Sequence, residues 1–249
     1  MSVDVLELAS FYEGALGAVS RRLVGRVLSQ FWPDLGGLSL VGLGYATPYF
    51  GELGSGASRV LAFMPAAQGV VAWPTSGPGR AALVDPTTLP LPDGSVDRVL
   101  VIHALETAES PAELLHEVGR LLSPAGRAVL VCPNRRGLWA RMDTTPFGQG
   151  QPFSRSQLRR LLRDTLLAPE RWAETLYVPP LANRLLLGGA GAWEKLGVGL
   201  SLPFAGLHVL EAARQVHRPV PVRARRAAAR AQPVMVAVPA SRSGLPARL

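Results

Sequence analysis

Residues 97–132 read DRVLVIHALETAESPAELLHEVGRLLSPAGRAVLVC, and this stretch decides the fold. Its opening, Asp97 to Ala104, is the most strongly apolar run in the chain, as expected of a strand covered on both faces. Ser110-Pro111-Ala112-Glu113 then has the form of a capping box with proline at the first helical position. Leu114, Leu115, Val118, Leu121 and Leu122 fall on one face of the helix it opens. Ser123-Pro124-Ala125-Gly126 stops that helix, and Ala128 to Cys132 is a second strand-like run. Strand, helix and strand in this order predict parallel pairing through a right-handed crossover.

The same alternation extends outward. Upstream lie apolar runs at Leu38 to Val41, Arg59 to Met64 and Ala81 to Asp85, the first ending in Gly42-Leu43-Gly44 and the second in Pro65. Downstream, a second capping box at Ser154-Arg155-Ser156-Gln157 opens a helix with Leu158, Leu161 and Leu162 on its buried face, and a strand is expected over Ala173 to Val178. Leu8, Phe11, Tyr12, Leu16, Val19, Leu23 and Val27 have helical spacing before Trp32-Pro33, which predicts one or two helices capping a sheet edge or a pocket. The expected division is a helical cap over 1–34, an α/β domain over 35–217 and a basic, disordered tail over 218–249. Ligands of such sheets gather at the carboxyl ends of the strands, so the loops after Val41, Met64, Asp85 and Ala104 are where function should lie.

Composition narrows the classes. The chain's formal charge is +8 over 249 residues, but seven arginines and no acid lie beyond His217, so the rest carries only about one net positive charge. Those arginines are not interleaved with aromatic residues, which disfavours a nucleic-acid partner; an anionic membrane surface stays open for the same charge. The longest apolar run, around Val99 to Leu105, is far short of the ~20 residues of a membrane span. Met1 to Val5 does not read as a secretory leader, so a cytoplasmic protein is expected. The single cysteine, Cys132, reads as a buried strand residue, and no Cys/His cluster has zinc spacing, so no metal is expected.

Two stretches carry a resemblance. Residues 91–106, LPDGSVDRVLVIHALE, and 117–127, EVGRLLSPAGR, resemble the corresponding segments of the class I S-adenosylmethionine-dependent methyltransferase family, of the methyltransferase domain 11 type acting on small molecules. The resemblance covers roughly residues 38–178 and implies a three-layer α/β sandwich, Rossmann-like, with a seven-stranded, mostly parallel sheet whose last strand, near Gly206 to Val216, is antiparallel. It also implies S-adenosylmethionine as cofactor. A glycine-rich turn lets backbone approach the cofactor's amino-acid portion, and here that turn is Gly42-Leu43-Gly44-Tyr45-Ala46, with alanine tolerated at the third position if its φ is negative. Met64 stands where the family places a ribose-binding acid, and Leu40 stands two residues before the first glycine where another acid is usual. Asp85, followed by Pro86, falls where the family reaches the adenine amino group, and a turn-capping role for the same carboxylate is equally consistent.

His103 ends the fourth strand, where the family contacts the cofactor and often the acceptor. It is the first candidate for a catalytic base and Glu106 the second, although a core histidine and a solvated glutamate are the plainer readings. His116 reads as solvated and Tyr12 as a core aromatic able to close the pocket. The ordered loop Thr145 to Phe153 is expected to shape the acceptor site. Two functions stay open: methyl transfer to a small-molecule acceptor, or a methyltransferase-like protein without activity that binds or regulates a protein partner. A nicotinamide-dependent oxidoreductase is disfavoured, because Thr47 stands where G-x-G-x-x-G needs its last glycine.

Overall fold

The computed structural model describes residues 3–215 except 182 and 201, so the expectation for the tail at 218–249 lies outside the described residues. Two helices, α1 (Val5–Glu13) and α2 (Ala15–Phe31), open the chain, with Asp4 capping the first through Leu6 N–H at 2.7 Å. The strands follow as β1 (Ser39–Gly44), β2 (Arg59–Pro65), β3 (Ala81–Val84), β4 (Val96–Ile102), β5 (Leu122–Pro133), β6 (Leu167–Thr175) and β7 (Leu207–Arg214). The longer helices between them are α4 (Pro111–Leu121), α5 (Arg155–Asp164) and α7 (Ala190–Gly199), with short α3 (Phe50–Leu53) and α6 (Arg184–Gly188). Among the described residues no helix is long and apolar enough to cross a membrane.

The sheet order is β3-β2-β1-β4-β5-β7-β6, with β7 antiparallel to both neighbours and the other pairs parallel. Alternation along β4 sends Leu100 and Ile102 to the face covered by α1 and α2, and Val99 and Val101 to the face covered by α4 and α5. Both faces are therefore apolar, which is why the strands read as continuous runs. Gly44 pairs with Ile102, and Pro65 with Val84, so β1 to β4 end along one edge of the sheet.

Several strand boundaries differ from the sequence expectation, the fifth and sixth most: Leu122 is extended instead of continuing the face of α4, so β5 starts there and contains the Ser123 to Gly126 stop, ahead of the expected Ala128. The sixth strand runs over Leu167–Thr175, not Ala173 to Val178, because it is an edge strand whose Pro169 to Arg171 segment is exposed and sits at a register shift. Edge position tolerates proline and removes the apolar pattern that marks the inner strands.

The turn before β4 is pinned by a charged brace. Glu117, buried on α4, accepts from Leu89 N–H at 2.6 Å and from Arg120 at 2.6 and 2.8 Å, and Arg120 also reaches the Leu91 carbonyl and Asp93. The Arg120 hydrogen bonds hold the Glu117 carboxyl below its ordinary range. A depressed folded-state value means that ionised Glu117 stabilises the fold at neutral pH and that this contribution fades as pH falls through the depressed value. Glu117→Gln should cost about 1.5–3 kcal/mol at pH 7. Urea unfolding at pH 7 and pH 3 should show the gap from the parent protein narrowing at the lower pH.

Candidate functional site

Close backbone packing shapes the first turn. A Cβ on Gly42 would lie 2.4 Å from the Phe50 ring and 2.5 Å from Ala46, and Gly44 has φ +91° with a Cβ position 2.0 Å from the Ile102 carbonyl. Both glycines are thus demanded by the turn itself. Ala46 has φ −88°, which alanine adopts without strain. Beyond it come a single 3-10 turn at Thr47–Tyr49 and the four-residue α3, too short to present a helix amino terminus as an anion site.

At the end of β4 the backbone of His103 turns left-handed, with φ +55°, an uncommon conformation for a side chain of this size. The ring is buried. Its Nε2 lies 2.9 Å from the Tyr12 hydroxyl, which lies 3.1 Å from the Tyr49 hydroxyl. Tyr12 also stacks on Tyr45 with centroids 5.7 Å apart, while Phe147 covers His103 at 4.5 Å. Burial drives the Tyr12 and Tyr49 phenols up from their ordinary values, so both are neutral hydroxyls at physiological pH. Nδ1 of His103 faces Glu106 Oε1 at 3.5 Å.

Glu106, the second candidate base, corrects its plainer sequence reading as a solvated residue: it is 3% exposed, because the left-handed turn at His103 folds the next residues inward and Gln151 N–H donates to the Glu106 backbone carbonyl at 2.7 Å. His116 is exposed on α4, as expected. Tyr12 is buried as a core aromatic, with its hydroxyl against His103 and Tyr49.

Beside this closed aromatic cluster lies a hollow of about 350 Å³, lined among others by Pro65, Gln68, Asp85, Thr87, Thr107 and Ser110. That volume is within the range of small-molecule sites. Asp85 is exposed and accepts from Thr87 N–H at 2.8 Å and from its hydroxyl at 2.6 Å, which lowers the carboxyl's proton affinity. It therefore caps the turn and lines the hollow together with Pro86. Gln68 lines the hollow and ties it to the cluster: its side-chain amide donates to the His103 carbonyl and to Thr107 Oγ1, and its backbone carbonyl accepts from Val5 N–H at 2.8 Å, joining α1 to the β2 loop. Met64 is fully buried, its sulfur accepting from Val71 N–H at 3.4 Å, and it offers no acceptor to a ribose.

The structure thus brings Tyr45 and His103 together, places Asp85 and Pro86 in the adjoining hollow and withdraws Met64 beneath it. Leu43 packs into the opposite core face. The residues that sequence reasoning misses are Gln68 and Tyr49, of which only Gln68 carries a signal, as the polar residue in a loop following a strand's carboxyl end; Phe147 lies in the Thr145 to Phe153 loop that the sequence singles out, and it covers His103. S-adenosylmethionine fits this arrangement at one end only: the hollow suits an adenosyl group, while Tyr12 fills the space beside the glycine turn. No three His, Cys, Asp or Glu side chains gather as metal ligands among the described residues.

Residues 40–130 match the methyltransferase domain family. No curated protein matches the sequence. Among solved structures, the chain is similar to an S-adenosylmethionine-dependent methyltransferase from Mesorhizobium loti, with TM-score 0.53 and 20% identity over 76% of this chain and 96% of that one. It is similar to a methyltransferase from Thermotoga maritima described as a possible histamine N-methyltransferase, with TM-score 0.57 and 14% identity over 85% and 96%. It is also similar to the geranyl diphosphate C-methyltransferase of Streptomyces coelicolor, with TM-score 0.52 and 18% identity over 77% and 78%. These likenesses show the shared fold.

Proposed function

We propose that this chain is a class I S-adenosylmethionine-dependent methyltransferase that methylates a small-molecule acceptor after its first helix swings Tyr12 out of the cleft. The observation that carries the reading is the hollow at the carboxyl ends of β2 to β4, where the resemblance expects the adenosyl group and where Asp85, Thr107 and Ser110 offer polar contacts. S-adenosylmethionine supplies an already activated methyl group, so alignment and proton removal are what fall to the protein. His103 is the base in this reading. Its Nε2 already faces a hydroxyl at hydrogen-bond distance, which is the geometry that an acceptor hydroxyl requires. Gly14, between α1 and α2, is the natural hinge for the withdrawal of Tyr12. The reading keeps the cytoplasmic setting expected from the sequence.

Incubation with methyl-labelled cofactor and a panel of hydroxyl and amine acceptors tests the reading. His103→Ala should lower kcat about 100-fold or more for a hydroxyl acceptor, and unchanged turnover would remove His103 from the role.

A second reading, a protein that binds a partner without catalysis, is favoured by one observation: Met64 replaces the ribose acceptor and points its sulfur at backbone. Absence of cofactor binding by both the parent protein and Tyr12→Ala would exclude methyl transfer and leave that reading.

A further inference from the structure

We propose that Glu106 is a positioning residue that fixes the tautomer of His103, holding the proton on Nδ1 so that Nε2 presents its lone pair to the cleft. Both Glu106 oxygens and His103 Nδ1 are buried and none of them has a hydrogen-bond partner among the described residues; Nδ1 faces Glu106 Oε1 at 3.5 Å. Glu106 lies on the Nδ1 side of the ring, away from the Nε2 that faces Tyr12, so it does not serve as a base for an acceptor entering where Tyr12 now sits. What it can do is face the Nδ1–H as an acceptor, since a buried acceptor without a donor is costly. The opposite ring nitrogen then lacks a proton and accepts from the Tyr12 hydroxyl. With Tyr49 donating to Tyr12, the hydrogen bonds run in one direction from Tyr49 through Tyr12 to His103, whose Nδ1 proton then points toward Glu106 Oε1.

The surroundings serve the same end. Phe147 lies against the imidazole at 4.5 Å, and Gln68 holds the His103 carbonyl, so the ring is fixed from both its face and its backbone. Gly150, at φ +82°, leaves no room for a Cβ under the Glu106 carbonyl, the nearest approach being 2.5 Å. The loop between β5 and α5 thus packs directly on the pair.

The mechanistic consequence of this assignment rests on the proposed methyl transfer, but its test does not. Nitrogen NMR of histidine-labelled protein reads which ring nitrogen of His103 carries the proton, with His103→Gln assigning the signal. In the parent protein Nδ1 should be protonated and Nε2 bare. Glu106→Leu removes the acceptor and should move the proton to Nε2, whereas Glu106→Gln keeps an acceptor oxygen and should retain the Nδ1 form. An Nε2-protonated or doubly protonated ring in the parent protein would overturn the proposal, as would an unchanged ring in Glu106→Leu. Should Glu106→Leu fail to fold, the parent spectrum still decides. Where transfer is measurable, Glu106→Leu should lower kcat at least tenfold with KM for the cofactor unchanged, and Glu106→Gln should recover part of it. A bare Nε2 in a protein that transfers no methyl group would uphold the positioning role and defeat the proposed function.

Discussion

Tyr12→Ala should tighten binding of S-adenosylhomocysteine about 30-fold while leaving adenosine binding unchanged. Tyr12 holds the cleft closed with hydroxyl contacts to His103 and Tyr49 and ring contacts to Tyr45 and Phe11. A cofactor tail entering beside the glycine turn must first break these contacts, and roughly 2 kcal/mol of hydrogen bonding and stacking lowers its apparent affinity by about that factor. Adenosine has no tail and needs only the hollow beside Asp85, so removing Tyr12 gains it nothing. Because the Tyr12 ring is buried, the same substitution should lower global stability by about 3 kcal/mol. Calorimetric titration of both ligands into both proteins measures the affinity ratio, and urea unfolding measures the stability loss.

Trp139→Ala should be the most destabilising of the substitutions considered, at about 3–5 kcal/mol. The indole is fully buried in the segment after β5, donates to the Val178 carbonyl at 2.8 Å and meets Phe147 edge-on at 5.8 Å. Backbone has closed around it: a Cβ on Gly206 would lie 2.4 Å from the indole, and one on Gly137 the same distance from the Ala205 carbonyl. Such a surround relaxes poorly, so the vacated space stays as a cavity. At roughly 2–4 °C per kcal/mol for a domain of this size, the melting midpoint should fall by about 10 °C. Phe147 loses its support in the variant, and with it the cover over His103 loosens, so the proposed methyl transfer should decline before the protein unfolds.

The sheet was legible because its inner strands are covered on both faces and its main helices announce themselves. Asp97 to Ala104 reads as β4 from apolarity alone, and the Ser154 to Gln157 capping box forms both of its reciprocal bonds. Edge strand β6 was displaced in the reading because solvent removes the pressure for apolar residues at Pro169 to Arg171. The glycine turn was legible for the right reason, close backbone approach, and Ala46 has the negative φ that its presence demanded. The division of the cleft was not legible. Tyr12 and His103 are 91 residues apart, Gln68 and His103 are 35 apart, and pairs so separated leave no period or spacing for a sequence to display. Glu106 was misplaced on the surface for a related reason: a left-handed residue three positions before it redirects the chain, and His103 gives no local sign of adopting that conformation.

The central claim is that the cleft consists of an open adenosyl hollow and a tail space that Tyr12 keeps shut. Titrating adenosine and S-adenosylhomocysteine into the unaltered protein tests it most directly. Both should bind, the second no more than about tenfold tighter than the first, because the tail gains its contacts only by displacing Tyr12. Failure of adenosine to bind, or a preference for S-adenosylhomocysteine of several orders of magnitude, would contradict it.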